Sequence, residues 1–380
     1  MQGTRQLLLL GAGMQHLHLL CELVTRPLPG VQVSLVAPHT HVVNAAMLPG
    51  FVAGHYQAEQ CCMALQPWMQ HNGLRWYQQP VAALDAHGQK MQLGDGKTLR
   101  FDWLSIDDGI TLDREQVERN LPGAREHALF LYPMENFMTL WPRVLALGET
   151  RELRLAVVGT DATAIEVTLA LRQRLPRASV TLVCGAQALL NDEAPALQQR
   201  VCELLRQRNV TVLHDHAVAF HAGAIALGCG ARLVCDVPLL ANAGGAPAWL
   251  TASGLSLDAE GLIEVDNCQR AHGSACVFVA QDTGTPMRKG LHSLHRLDSA
   301  ATLMHNLAAS TRGNALQSLT LAPRPLRFLS CGERSAVASW GPFSAQGRWL
   351  WQLRDWLDRR CVARYTRPDC AMPPVRLPAH

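Results

Sequence analysis

The stretch "LAVVGTDATAIEVTLAL", Leu155 to Leu171, decides the fold. Its first residues are apolar without alternation, as suits a strand buried on both faces of a parallel sheet. A glycine-containing turn follows, and the spacing from Ala162 predicts a helix to about Arg174. Strand, turn and helix open a dinucleotide-binding unit. Small residues there let the backbone approach a pyrophosphate, and the helix N-terminus supplies amide donors and a partial positive charge. Gly159 holds the first glycine position, Asp161 the second and Ala164 the third. A carboxylate at Asp161 would repel a pyrophosphate by roughly 1–4 kcal/mol at about 4 Å. Asp is equally a good helix N-cap. The residues leave two readings: a weakened nucleotide site, or a helix that caps itself.

The pattern occurs twice. "QLLLLGAG", a helical stretch Met14–Thr25 and "VQVSLVAP" form the first copy; "LRLAVVGTD", a helical stretch Ala162–Arg174 and "ASVTLVCG" form the second. Each has the length of a βαβ unit, about 30 residues. In the first turn Gly11 and Gly13 are present and His16 takes the third glycine position. An acidic ribose ligand is expected about 20 residues after such a turn. The first copy offers Pro38 and His39 there, and the second offers Cys184. Gly11 and Gly13 serve either a pyrophosphate or tight strand–helix packing.

Further along, "RWYQQ", "KMQL" and "TLRF" are short strand candidates, and "DWLSIDDG" reads as a return strand into the first sheet. After the second unit come a helix from Ala194 to Arg208, the strand "VTVL" and the meander "HAVAFHAGAIALGCGARLVCD". "ACVFVAQD" is a late buried strand. The expected fold is α/β, with two Rossmann-like dinucleotide-binding domains, the second inserted in the first, plus a C-terminal cap. The expected limits are 1–115 for the first part, 116–245 for the insert, 246–315 for the return and 316–380 for the cap.

Composition narrows the function. The chain has 380 residues, 48% of them hydrophobic and 17% charged, enough for a large core or several smaller ones. A net charge of +3 does not suggest a nucleic-acid binder. The run Leu7–Leu10 is too short for a leader core or a span, and no stretch reaches about 18 apolar residues. The twelve cysteines are irregularly spaced without CxxC and read as reduced thiols of a cytoplasmic protein. The histidine triplets "HLH", "HTH" and "HDH" lack further ligands at metal spacing, so no metal is expected.

With these motifs in order, the chain resembles the FAD-dependent pyridine nucleotide-disulfide oxidoreductase superfamily, which includes type II NADH dehydrogenases, and within it the flavoprotein fused to selenophosphate synthetase in some bacteria. The carrying stretches are "LLLLGAGMQHLHLL", "AAMLPGFVAGHY", "FDWLSIDDG", "VVGTDATAIEVTLAL", "LLANAGGAPAWLTASGLSLDAEGLIEVD", "VFVAQD" and "VASWGPFSAQGRWLWQLRDWLDRR". The resemblance implies FAD along the first domain, with NAD(P)H over the second passing hydride to it. By position, it puts Gly11, Gly13 and His16 at the FAD pyrophosphate, and Met47, Leu48, Pro49 and Gly50 near the flavin end. It puts Asp282 at the ribityl and phosphate end, and Gly159, Asp161 and Glu166 at the NAD(P)H turn. The chain departs from the family at Pro38, Ala45-Ala46, Asp161 and Gln281, and His295-Arg296 replaces an Arg-Gln pair. It also lacks the early CxxxxC pair of the disulfide reductases, which argues against flavin-to-disulfide chemistry.

Residues 347–367 carry six arginines against two aspartates, with Trp349, Leu350, Leu353, Trp356 and Leu357 at helical spacing. Such a stripe either lies peripherally on an anionic membrane, at its inner face, or packs on the nucleotide domains or on a second subunit of a homodimer. The leading expectation is an FAD-dependent oxidoreductase passing electrons from NAD(P)H to a quinone or other small-molecule acceptor. The alternative is a cofactor-depleted scaffold or regulatory protein that keeps the fold. A third reading is a flavoprotein reduced directly by its substrate.

Overall fold

The structure, a computed structural model, describes residues 4–70, 73–107, 114–191, 193–241, 246–259, 261–280, 284–285, 292–293, 296–320 and 326–366. Two five-stranded parallel sheets organise it. In the first, the order is Val277–Val279, Trp103–Ile106, Arg5–Leu10, Val31–Val36, Leu74–Tyr77. In the second it is Leu129–Phe130, Val237–Leu240, Arg154–Val158, Ser179–Val183, Val210–Leu213. Every strand of the second sheet falls between Ile106 and Val277 in sequence, so it is inserted between two adjacent strands of the first.

The repeat is structural. The helices Met14–Thr25 and Ala162–Arg174 start where the sequence places them. Arg5–Leu10 and Arg154–Val158 each have neighbours on both sides, so the strand order reverses at both. In open α/β sheets ligands bind at such a switch point, beyond the carboxyl ends of the strands. The three short strand candidates divide between two sheets. In "RWYQQ", Leu74–Tyr77 is the outer parallel strand, its Trp76 ring nitrogen donating to the Ala37 carbonyl at 3.1 Å. Val81–Asp85, Lys90–Leu93 and Thr98–Arg100 form the antiparallel meander by themselves.

Helix Arg296–Arg312 packs on helix Met14–Thr25, and the chain then forms the antiparallel strands Arg327–Ser330, Ala336–Trp340 and Phe343–Gly347 and the helix Arg348–Thr366. That last helix divides the expected stripe: Leu350 is buried and Leu357 packs against the cap's small core, and the other three members are exposed. Leu350, Arg354, Val362 and Tyr365 face inward, while Trp349, Leu353 and Trp356, spaced by four and three residues, lie on the outer face.

Arg354 is a buried cation, and the fold supplies its partners. Glu166, fully buried on helix Ala162–Arg174, accepts from the Arg354 guanidinium and, at 2.5 Å, from the Ser330 amide. A second guanidinium nitrogen of Arg354 donates to the Ala46 carbonyl at 2.7 Å, and Asp358 lies 3.6 Å from its Nε. Burial works against the Arg354 charge, but the Glu166 and Asp358 carboxylates outweigh it and hold its pKa above the ordinary value. The Arg354 guanidinium thus joins helix Ala162–Arg174 of the inserted sheet, the cap and the Ala45–Met47 turn. Removing one partner of a buried pair costs about 3–5 kcal/mol, because the other charge stays behind unpaired. Arg354→Met is expected to lower the unfolding free energy by about that much, and Glu166→Gln added to it to recover part. Urea unfolding of the two variants measures this; a loss under about 1 kcal/mol for Arg354→Met would show the pair to be dispensable.

Candidate functional site

The two nucleotide turns superimpose bond for bond at their strand ends. Gly11 N–H donates to the Val36 carbonyl at 2.8 Å, and Gly159 N–H to the Val183 carbonyl at 3.0 Å. The residue after the neighbouring strand closes the other side: Asp107 N–H donates to Leu10 O at 2.8 Å, and Ala241 N–H to Val158 O at 2.9 Å. Gly11 takes φ +84°, a left-handed value that favours glycine. Asp107 and Ala241 are therefore counterparts, as are Gly13 and Asp161, and His16 and Ala164.

The first three amides of a helix have no intrahelical acceptor, and anions are favoured at that end. In the second turn the anion is Asp161. Its backbone is extended (φ −86°, ψ 172°), and its Oδ1 accepts from the Ala164 amide at 2.9 Å. That is the self-capping reading of "GTDATA". In the first turn the matching amide is His16 N–H, and it too has a carboxylate: Asp107 Oδ2, at 2.8 Å. Asp107 is only 2% exposed. Its own carbonyl accepts from Gly13 N–H at 3.0 Å, so its backbone is bonded to the turn on both sides.

The same amide is capped in both copies, from two different places. In the first the carboxylate comes from the strand end, across a turn position that is glycine. In the second it comes from the turn position, and the strand end is alanine. The two solutions exclude each other: a Cβ on Gly13 would lie 2.1–2.4 Å from the Asp107 carboxylate. Gly13 is required by its neighbour and not by its own φ of −69°.

His16 points beneath the turn. It is fully buried, with Nδ1 donating to the Gly11 carbonyl at 2.7 Å and Nε2 2.8 Å from the Ser105 hydroxyl. Burial pulls its pKa down to about 4, against the opposing bond to Gly11, so it is a neutral strut at pH 7. Pro49 and Gly50 lie in the buried helix Leu48–Val52, which packs on helix Ala162–Arg174. A Cβ on Gly50 would lie 2.3 Å from the Tyr56 ring. Glu166 is engaged by Arg354 and Ser330, as described above, and Gly159 sits at its turn. Gln281, Asp282 and His295 lie outside the described residues. Burial pushes the Cys61 and Cys331 thiols up to about 12 and those of Cys62 and Cys235 to about 11, so all four are protonated at neutral pH. Among the described residues no group of His, Cys, Asp or Glu could hold a metal ion.

The family model for pyridine nucleotide-disulphide oxidoreductases matches residues 5–293. The chain belongs to that family and is an FAD-dependent oxidoreductase of the class that takes NAD(P)H as reductant. Among solved structures it is similar to the sulfide:quinone oxidoreductase of Aquifex aeolicus, at 14% identity over 97% of this chain and 93% of that one, with a TM-score of 0.75. It is similar to NDH2 of Plasmodium falciparum in complex with NADH, at 14% identity over 96% and 97% of the two chains, with a TM-score of 0.72. A ferredoxin reductase of Rhodopseudomonas palustris aligns at 16% identity over 88% and 81%, with a TM-score of 0.68. None of the curated proteins compared with the chain matches it.

The counterpart relation makes a checkable claim. Gly13→Asp alone places two carboxylates on one amide and is expected to lower Tm sharply. Gly13→Asp with Asp107→Ala rebuilds the second turn's arrangement in the first and is expected to restore most of the loss. Thermal unfolding of the pair decides it: if the double variant is no more stable than Gly13→Asp, the two turns are not interchangeable.

Proposed function

We propose that the chain passes electrons from NAD(P)H through FAD to a small acceptor, a quinone being the acceptor class named for the similar sulfide:quinone oxidoreductase. The observation that carries this reading is the family match across both sheets, each with a glycine turn at its switch point. The first turn fits FAD in its backbone: Gly11 bends the chain, Gly13 presents no side chain, and the helix behind them starts at the turn with its amides directed there. The Asp107 carboxylate stands at the His16 amide and has to leave it when the pyrophosphate arrives. Asp282 carries the role implied by resemblance, at the ribityl and phosphate end. The nicotinamide nucleotide approaches Gly159, where Asp161 opposes its pyrophosphate. Bound FAD supplies a two-electron centre between a hydride donor and the acceptor. The chain's part is to hold one nucleotide at each of the two turns.

An absorption spectrum of the purified protein before and after adding FAD tests this, followed by anaerobic titration with NADH and NADPH. Flavin bands that one of the nucleotides bleaches are expected, with Asp161→Gly lowering the nucleotide concentration required. A folded protein that takes up no flavin, or a flavin that neither nucleotide reduces, rejects the electron route.

We also propose a peripheral membrane contact at the inner face. Trp349 and Trp356 are 60% and 50% exposed on the outer face of the last helix, and Trp340 and Phe343 are 58% and 71% exposed on the preceding hairpin. Arg360 stacks over the Trp356 ring with its guanidinium carbon 5.2 Å from the centroid. Aromatic side chains amid arginines suit an anionic lipid interface. Among the described residues no helix is long and apolar enough to cross a membrane. Sedimentation with anionic liposomes at low salt is expected, and Trp349→Ser with Trp356→Ser is expected to abolish it. A wild-type protein left in the supernatant removes the proposal.

A further inference from the structure

The Asp107 carboxylate and a dinucleotide pyrophosphate ask for the same group. Both are anions, both are favoured at a helix N-terminus, and the His16 amide that an incoming phosphate would find is already bonded at 2.8 Å. Gly13, the residue whose missing side chain lets a pyrophosphate approach, has that space filled by the carboxylate instead.

We infer that Asp107 is an intramolecular competitor of FAD: its carboxylate closes the first turn in the nucleotide-free chain, and the pyrophosphate enters as that carboxylate swings away. This rests on the assignment of the first turn to FAD. The backbone of Asp107 is held by Leu10 on one side and Gly13 on the other, so the displacement falls on its side chain. The second turn supports the reading independently. There a carboxylate reaches the matching Ala164 amide from a different position, so an anion on this amide belongs to the architecture and is no accident of one residue.

The consequence is a form of regulation. The His16 amide has an acceptor within the chain, so a pyrophosphate is not needed to satisfy it. Flavin then loads against an internal rival, and occupancy follows the supply of FAD.

The test uses the full chain freed of flavin, as wild type, Asp107→Asn and Asp107→Ala. Asn keeps an oxygen for the His16 amide and drops the charge, and Ala drops both. FAD is titrated by the quenching of its fluorescence, and the flavin-free proteins are unfolded thermally. Asp107→Asn is expected to bind FAD on the order of tenfold more tightly than wild type, and Asp107→Ala at least as tightly. Flavin-free Asp107→Ala is expected to lose on the order of 2–4 °C in Tm for its lost cap, with Asp107→Asn close to wild type. Wild type that loads FAD as tightly as both variants overturns the inference and leaves the FAD assignment standing. Failure of every form to load FAD, Asp107→Ala included, overturns both. Whether wild type itself binds separates the two failures.

Discussion

An α-helix that begins at a sheet's carboxyl edge leaves amides that must be satisfied, and most of what distinguishes this chain follows from how it does so. A dinucleotide is one answer to those amides, and a carboxylate of the chain is another. The protein uses the second in both halves, and the choices fix other residues in turn. Because Asp107 reaches over the first turn, position 13 must be glycine. Because Ala241 leaves the second turn clear, Asp161 can stand where a glycine would be. The bond to Gly11 that orients His16 belongs to the same arrangement, since it holds the turn from below.

The second constraint is the Arg354 charge. Helix Arg348–Thr366 carries a guanidinium into the interior, where it meets a carboxylate from the inserted sheet and a carbonyl from the segment before "MLPG". Position 166, which the family pattern associates with the nicotinamide turn, acts here as a structural joint. Small residues at Ala45 and Ala46 leave backbone for that joint to use. The Ala45-Ala46 departure thus sits at a contact with Arg354, and the Asp161 departure at a helix cap, neither of which involves a ligand.

Much of this was legible in the sequence. The two apolar strands, the helices beginning at Met14 and Ala162 and the insertion of one sheet in the other are written in local patterning, and so is the Asp161 cap. Helix Met134–Thr150 was readable and missed: Phe137, Met138, Trp141 and Val144 keep a helical spacing, but Pro142 interrupts it. The cap from Asp107 could not be read locally, because its carboxylate meets an amide 91 residues away and only the parallel register of Leu10 with Ile106 brings them together. The last helix misled for a related reason. Its spacing shows one apolar stripe, but the Glu166 carboxylate that draws Arg354 inward comes from a helix 188 residues away, so Leu350 is buried with Arg354 and the tryptophans are left outside.

The placement of the two carboxylates also limits how such a chain can change. One half cannot drift to the other's solution in a single substitution. Gaining the turn aspartate first puts two like charges on one amide, so the strand-end aspartate has to go before the new one arrives. The only uncrowded route between the two self-satisfied states therefore crosses a sequence with neither acid. That crossing point is a bare glycine turn, open to phosphate. In this architecture the turn with no carboxylate on its amide lies one substitution away from each of the two capped arrangements.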